Sequence, residues 1–271
     1  MIEKAKKFVN KERYTFEDLV EIMRILRAPD GCPWDREQDH KSIRQNFIEE
    51  TYEAIEAIDT SNPTLLCEEL GDVLMQVVFH SVISESDNEF DVNDVLRGVC
   101  SKLVLRHPHI FADEVADDTE KVLDNWDKIK TAEKSFKSTG EKIDSVSRAM
   151  PSLMRAQRVG GKCRKAGFDF ADAKDALVKL NEEAAELMTE YEKQDKAKTF
   201  EEAGDLLLAA VNVVRLCDVD AEHALYEACE KYISRYKAME KIISDKGFSL
   251  ETMTDDEKNC CWDEAKNATE L

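Results

Sequence analysis

Apolar side chains recur along most of this chain with the period of an α-helix. Two stretches show the pattern best, Phe47, Tyr52, Ile55 and Ile58 in one and Leu70, Val73, Leu74, Val77 and Val78 in the other. Both sets repeat near the helical period, as the apolar stripe of a helix does. With 5 Pro and 9 Gly in 271 residues, the chain also has few turn residues for a protein built from hairpins. The pattern predicts an all-α fold.

Capping residues and prolines indicate where some of these helices begin and end. Asn62 and Pro63 predict the end of one helix and the start of the next, because Pro is tolerated at the first helical position. In the second half Thr199 fits the N-cap of a matching helix. Gly71 and Gly204 lie inside strongly helical stretches, where Gly costs about 1 kcal/mol relative to Ala. A close approach of a neighbouring helix is therefore expected at both glycines.

An acidic motif occurs twice at the same internal spacing. Its members are Glu50, Glu53, Glu69 and Asp72 in the first half and Glu183, Glu186, Glu202 and Asp205 in the second. The two copies are 133 residues apart at each position, for example 183 − 50 and 205 − 72. A Lys-x-x-x-Arg pair recurs at an offset of 129 and a tryptophan at an offset of 136, as Lys102 and Arg106 with Lys231 and Arg235, and Trp126 with Trp262. Offsets that drift by a few residues are typical of a duplicated unit with loops of different length.

The duplication predicts two helical domains in tandem. The polar stretch 131–147, which has few large apolar residues, is the natural linker. The expected domains are therefore residues 1–130 and residues 148–271.

Clustered carboxylates of this kind indicate a metal site. Acids three residues apart share one face of a helix, and two antiparallel helices can bring two such pairs onto one patch. Close carboxylates repel each other unless they are protonated or neutralised by a cation. A ligand set made only of oxygen favours Mg²⁺ or Mn²⁺ over zinc, and Mg²⁺ commonly shares its shell with substrate phosphates. Solvated acidic helix faces are the alternative, and the exact repetition argues against it.

The repeated cations and tryptophans are candidates for nucleotide contacts. Lys102 and Arg106, like Lys231 and Arg235, are one helical turn apart and could together hold phosphates. Surface cations at this spacing are the alternative. Trp262 could stack on a base or anchor a core.

Composition restricts the partners. The formal net charge of −20 repels phosphate backbones and anionic membranes, so neither nucleic acid nor a membrane is expected as a partner. The longest apolar stretches are too short to span a bilayer. The 8 cysteines include no C-x-x-C pair, which argues against zinc and favours reduced thiols in a cytoplasmic protein.

Several motifs together resemble one family. They are Gly-Cys-Pro-Trp-Asp at 31–35, the two acidic sets, Arg-His-Pro-His-Ile-Phe at 106–111 and Gly-Phe-Asp at 167–169. Nearly the whole chain resembles the MazG nucleoside triphosphate pyrophosphohydrolases. The resemblance implies tandem all-α NTP pyrophosphatase domains in a four-helix-bundle type of assembly, and a homodimer. It also implies Mg²⁺-dependent hydrolysis of nucleoside triphosphates of broad base range to NMP and diphosphate, which clears unwanted nucleotides from the pool.

The resemblance also implies roles for individual residues. In the second domain Glu183, Glu186, Glu202 and Asp205 are expected to bind Mg²⁺, and a carboxylate of this set, or Glu182 beside it, to activate the attacking water. The catalytic candidates are Glu182, Glu183 and Glu186. The nucleotide contacts map to Lys179, Lys198, Lys231, Arg235 and Trp262, with Lys102 and Arg106 as the repeated pair of the first half. At the positions that match Lys179 and Lys198 the first half has Asn46 and Leu65. The second half is therefore expected to carry most of the turnover.

Two other interpretations remain open on the sequence. The duplicated acidic bundle could sense nucleotides or bind a regulatory partner protein without turnover. Alternatively, the enzyme could act on deoxynucleotides such as dUTP or dCTP, since no residue pattern identifies the base.

Overall fold

The computed structural model describes residues 5–112 and 136–269, together with Val122, Trp126 and Ile129. The start of the predicted linker, 131–135, lies outside the described residues. Within the described ranges all regular structure is helical and no strand occurs, which confirms the all-α prediction.

The helices are numbered in chain order. Those of the first half are α1 (Phe16–Arg27), α2 (Pro33–Glu37), α3 (Arg44–Asp59), α4 (Pro63–Ser86), α5 (Val92–Arg106) and α6 (Pro108–Phe111). Those of the second half are α7 (Thr139–Asp144), α8 (Ser152–Lys165), α9 (Ala173–Glu192), α10 (Lys196–Leu216), α11 (Ala221–Asp245) and α12 (Asp255–Thr269).

The chain divides into two compact units, residues 1–134 and residues 135–271. The division falls inside the predicted linker, 131–147. Residues 139–144 of that stretch form helix α7, which belongs to the second unit. Lys162 of α8 donates a hydrogen bond of 2.8 Å to the Ser145 hydroxyl, and this contact ties α7 to the helix that follows it.

The first unit is organised by the hairpin of α3 and α4. The predicted boundary is confirmed, because α4 begins at Pro63 and the Asn62 side chain accepts a hydrogen bond of 3.1 Å from the Leu65 amide. The turn of three residues makes the two helices antiparallel. Helix α1 packs across α4 and closes an apolar core of Val20, Met23, Ile43, Val78, Phe79, Val82, Ile83 and Val92.

The second unit repeats this hairpin with α9 and α10. Here the predicted N-cap was wrong, because α10 begins at Lys196, three residues before Thr199, and its cap is Asp195. The Asp195 carboxylate accepts from the amides of Ala197 and Lys198, each at 3.2 Å. Gln194 has a left-handed backbone, φ 57°, which reverses the chain just before that cap. Helix α8 packs on α10, and α11 forms a further hairpin with α12 around Met239, Ile243, Met253, Cys261 and Ala265.

Close helix approach at the two repeated glycines was predicted wrongly. A Cβ atom added at Gly71 or Gly204 meets nothing within 4 Å, because both positions face outward. The close approach lies at Gly160 of α8, where a Cβ atom would come within 2.8 Å of the Arg215 Nε. A larger residue at Gly160 would push α8 away from α10.

Much of the apolar face of α3 is solvent-exposed in the single chain. Ile55 and Ile58 are 43% and 58% exposed, whereas Ala54 and Ala57 of the same helix are buried.

In the described ranges no helix combines the length and apolar character that crossing a bilayer requires.

Candidate functional site

Helices α3 and α4 bring three acids of the first unit together. One carboxylate oxygen each from Glu50, Glu69 and Asp72 lies within 4.8 Å of the other two. We call these three residues the first acidic group. Glu69 is only 7% exposed, although an ionised carboxylate normally seeks water. The fourth predicted acid, Glu53, is exposed and stands outside this group.

The environment of the first acidic group disfavours negative charge. Burial raises the pKa of Glu50, and the nearby charges of Asp72 and Glu53 raise it further. Burial likewise raises the pKa of Glu69, with Glu53 as the largest of the charges that add to the effect. Carboxylates held in this way gain from any cation that reaches them.

Helices α9 and α10 form the matching group in the second unit. One carboxylate oxygen each from Glu183, Glu186 and Glu202 lies within 4.8 Å of the others, and we call these three the second acidic group. Asp205 is exposed and stands outside it. Burial raises the pKa of Glu202, and the charges of Glu186, Glu183 and Asp205 raise it further. Each unit therefore brings three of its four predicted acids together, with a different one left aside.

A lysine contacts the second acidic group. The Lys179 Nζ lies 2.6 Å from Glu183 Oε1 and 3.6 Å from Glu182 Oε2. Lys179 is about one turn before both acids on α9. The hydrogen bond to Glu183 raises the pKa of Lys179, and the charges of Glu183, Glu186 and Glu182 add to this effect. Glu183 itself is 6% exposed. The ion pair offsets part of the negative charge that these acids bring together.

The other predicted nucleotide contacts lie on separate helices. Lys198 is in the first turn of α10, and Lys231 and Arg235 are on α11. Trp262, on α12, packs against Tyr232 with ring centroids 5.1 Å apart. In the first unit Lys102 and Arg106 are on α5.

A buried ion pair near the C-terminal end of α10 was not predicted from the sequence. The Arg215 guanidinium of α10 donates to both carboxylate oxygens of Asp169, at 2.6 and 3.1 Å, and to the Asn212 side chain. Arg215 is 8% exposed, and its hydrogen bonds hold the pKa of Asp169 below its usual range. The Gly-Phe-Asp motif at 167–169 carried the signal for Asp169, but nothing in the pattern named its partner.

Comparison with known proteins identifies the family. The model of the MazG nucleotide pyrophosphohydrolase domain matches this chain twice, at residues 38–111 and 171–239. The chain belongs to the MazG family. Each match contains one complete acidic motif, so the tandem duplication read from the sequence is confirmed. The matched domain is that of a nucleotide pyrophosphohydrolase, which is a hydrolase of acid anhydrides.

Individual relatives are similar over most of this chain. The nucleoside triphosphate pyrophosphohydrolase/pyrophosphatase MazG of Thermotoga maritima is 40% identical over 255 residues, covering 94% of this chain and 97% of that protein. A nucleoside triphosphate pyrophosphohydrolase of Escherichia coli is 40% identical over 235 residues, covering 86% and 89%. YabN of Bacillus subtilis is 39% identical over 266 residues, which are 97% of this chain and 53% of that protein.

The donor atoms of both MazG domains suit a hard divalent cation. Each acidic group supplies carboxylate oxygens and neither includes a histidine or cysteine. Oxygen donors of this type favour Mg²⁺ or Mn²⁺, whereas structural zinc sites use sulfur and imidazole nitrogen. The partial burial of the carboxylates adds to the fit, because the ionised group lacks full hydration there.

Proposed function

We propose that this protein is a Mg²⁺-dependent nucleoside triphosphate pyrophosphohydrolase, which converts NTP and water to NMP and diphosphate. Broad base range and action on the cytoplasmic nucleotide pool are part of the proposal. The observation that carries it is the convergence of three carboxylates from adjacent helices, twice, in a chain of the MazG family. The activity named for the relatives from Thermotoga maritima and Escherichia coli supports the same reaction.

The second acidic group is the proposed site of turnover. Glu183, Glu186 and Glu202 would hold the divalent ion, with Asp205 one turn further along α10 as the fourth carboxylate. When bound, such an ion lowers the pKa of a coordinated water and offsets negative charge on phosphate oxygens. Glu182 is 57% exposed beside the group, where it can accept a proton from the attacking water.

Cationic side chains would hold the triphosphate. Lys179 already lies among the acids, so its ammonium can pass from Glu183 to a phosphate oxygen over a short distance. Lys198 is on the first turn of the helix that carries Glu202. Lys231 and Arg235 are proposed to contact the outer phosphates and Trp262 the base. The first acidic group, with Lys102 and Arg106, is proposed as a second metal site of lower turnover.

A homodimer is also proposed. Phe200 is 83% exposed, Tyr191 65% and Leu207 60%, and exposed apolar side chains of this size in one hairpin favour burial against another surface. Sedimentation of the full chain measures this directly. A mass of twice 30.9 kDa is expected, and a single-chain mass at micromolar concentration would contradict the dimer.

The decisive experiment identifies the products. The full chain is incubated with Mg²⁺ and a panel of NTPs and dNTPs, and products are separated by ion-exchange chromatography. NMP with diphosphate is expected from several bases. NDP with orthophosphate would overturn the reaction type, and turnover of dUTP or dCTP alone would make the enzyme a deoxynucleotide hydrolase. Nucleotide binding without product would favour the sensor.

A matched pair of variants ties the products to the site. Glu202→Gln removes one negative charge from the second acidic group and keeps the side-chain size. Glu192→Gln makes the same chemical change at an exposed position of α9 outside the group. Turnover is expected to fall only in Glu202→Gln. Equal activities in the two variants would place the reaction elsewhere.

A further inference from the structure

Two histidines of the first unit face each other where helix α3 begins. His40 lies in the segment 38–43 between α2 and α3, and His80 is on α4. Their Nδ1 atoms are 2.7 Å apart, and the planes of the two rings differ by 4°. Phe47 of α3 packs on His80, with ring centroids 5.6 Å apart. The pair therefore joins the segment that leads into α3 to the helix on which α3 packs.

A serine and a glutamate fix the tautomer of His40. The His40 Nε2 lies 3.0 Å from the Ser84 Oγ, and the Ser84 hydroxyl donates a hydrogen bond of 3.3 Å to Glu89. Ser84 is completely buried, so its hydrogen is committed to that carboxylate and its oxygen accepts from His40. Neutral His40 then carries its hydrogen on Nε2 and a lone pair on Nδ1. The hydrogen between the two rings consequently belongs to the Nδ1 of His80.

This hydrogen-bonded chain accepts one extra proton but not a second. A proton that joins the Nε2 of His80 leaves the bond between the rings intact, because the Nδ1 of His80 still donates. A further proton can enter only at the Nδ1 of His40, where two N–H groups and two positive charges would then face each other across 2.7 Å. Two donors form no hydrogen bond, and both nitrogens of a protonated histidine are donors. The doubly protonated pair therefore has to separate.

The surroundings of the pair resist protonation. Burial lowers the pKa of His80, and the charge of His40 lowers it further. An unfolded histidine takes up its proton near about pH 6.5. A group whose folded pKa is lowered stabilises the folded state above its unfolded pKa, and this contribution is lost as pH falls through the folded pKa. Acidification below about pH 6.5 therefore works against the contact between the rings.

Charged side chains of the neighbouring elements are engaged in other contacts or reach solvent. In the segment 38–43, the Asp39 carboxylate accepts from two amides of its own turn, and these hydrogen bonds lower its pKa. On α1, Arg27 donates to a backbone carbonyl oxygen of the same segment at 3.0 Å. On α4, Glu85 forms an ion pair with a residue of α1. Lys41 and Arg44 are exposed. The contact is therefore controlled by the protons on the two histidines.

We propose that His40 and His80 form an acid-sensitive latch, which holds the start of α3 against α4 while the pair carries at most one extra proton and opens when it carries two. Opening releases the segment 38–43, and Ile43, which is 1% exposed in the core of the first unit, limits how far that segment moves. The second unit has Val213 at the position that matches His80, so the latch belongs to the first unit. It does not depend on hydrolysis of a nucleotide by either unit.

Hydrogen exchange of the full chain measures the latch. The informative amides are those of Ile43 and Phe47, which bond to the carbonyl oxygens of Asp39 and Ile43. Their protection factors, corrected for the intrinsic effect of pH on exchange, are compared at about pH 7.5 and about pH 5, on either side of the ordinary pKa of histidine. If opening takes up one proton, protection should fall about tenfold for each pH unit below the pKa of that step. Equal protection at both pH values would overturn the latch.

A matched pair of variants assigns the pH dependence to the latch. His80→Gln keeps a polar side chain but cannot take up the proton, so protection at the start of α3 should lose most of its dependence on pH. His223→Gln makes the same change at an exposed position of the second unit and should leave that dependence as it is. Glu50 and Glu69, whose raised pKa values act in the opposite direction, remain in both variants, so their contribution cancels. Full pH dependence in His80→Gln would reject the role of the pair.

NMR of the imidazole nitrogens tests the pair without a substitution, and so covers a variant that folds poorly. At neutral pH His80 is expected to carry its hydrogen on Nδ1 and His40 on Nε2. The pKa of His80 should lie below the ordinary value for histidine. The opposite tautomer on His80, or a pKa that is not lowered, would refute the latch. Neither measurement uses nucleotide turnover, so the latch and the proposed function stand or fall separately.

Discussion

The two acidic groups are built from one motif and differ in how their charge is balanced. In the first, burial and mutual repulsion raise the pKa of Glu50 and Glu69. In the second, Lys179 forms an ion pair with Glu183 inside the group. The motif therefore determines where the carboxylates meet. Lys179, which lies outside the motif, adds positive charge to one group only.

The two units also differ near the C-terminal ends of α4 and α10, away from the acidic groups. In the first unit Phe79 and Val82 of α4 pack in an apolar core against α1. At the offset of 133 residues the second unit has Asn212 and Arg215, and the Arg215 guanidinium donates hydrogen bonds to both Asp169 and Asn212. Both units have the acids, whereas the apolar packing at this point of α4 corresponds to a buried ion pair at the matching point of α10. Stability of the two units should therefore respond to different substitutions.

The largest expected effect separates the units by turnover. Glu183→Gln should reduce diphosphate release by about 100-fold or more, because a bound metal supplies several kcal/mol of transition-state stabilisation. Glu50→Gln should reduce it far less, since Asn46 and Leu65 replace two of the cations found in the second unit. The measurement is kcat for ATP at saturating Mg²⁺. Similar losses in both variants would remove the functional asymmetry between the units.

The next effect concerns the contacts near the C-terminal ends of α4 and α10. Asp169→Asn leaves the Arg215 guanidinium, 8% exposed, without a negative partner and should destabilise the protein by about 3 kcal/mol. The matched control is Glu85→Gln in the first unit, where the Arg24 to Glu85 pair has 40% and 37% of its side chains exposed. A surface pair of this kind contributes at most about 1 kcal/mol. Calorimetric unfolding of both variants checks the difference, and equal shifts would contradict a special role for Asp169.

These residues show where sequence reasoning succeeds and where it stops. Helix type, duplication and the meeting of acids follow from periodicity and spacing, which are local properties of the chain. The Arg215 to Asp169 pair joins residues 46 positions apart, and Arg215 alone resembles an ordinary cation in the last turn of a helix.

Side-chain conformation set a further limit. Spacing predicted four acids in each group, and the structure leaves out Glu53 in one and Asp205 in the other. Both side chains are exposed, so each can adopt a rotamer that places its carboxylate in solvent. Helical spacing fixes the face on which a residue lies, but the competition between solvent and repulsion from other acids decides where its carboxylate points.

A substitution at Lys179 should make the two units more alike. Lys179→Met removes the ammonium that pairs with Glu183, and the matching residue of the first unit is already the neutral Asn46. Loss of a charge-assisted contact to phosphate should raise KM for NTP by about tenfold. Lys174→Met, at an exposed position of the same helix, is the control. An unchanged KM would show that Lys179 does not contact the triphosphate.

The smallest expected effect is the pH dependence of stability without metal. Because the folded pKa values of Glu50 and Glu69 are raised, the folded state binds protons more readily than the unfolded chain. Their carboxyls therefore favour folding at low pH, and this contribution is lost as pH rises through the raised pKa values. The unfolding temperature in EDTA should fall as pH rises above the ordinary pKa of a glutamate, about 4.3, and Mg²⁺ should restore more of it at the higher pH.

Substitution assigns this pH dependence to one unit. Asp169, whose pKa is lowered, acts in the opposite direction, and its contribution is lost only below the ordinary pKa of an aspartate, outside this window. Glu202 has a raised pKa and acts in the same direction as Glu50 and Glu69. Replacing both Glu50 and Glu69 with Gln should therefore flatten the metal-free profile more than Glu202→Gln does. If Glu202→Gln flattened it more, the second group would carry the larger unbalanced charge.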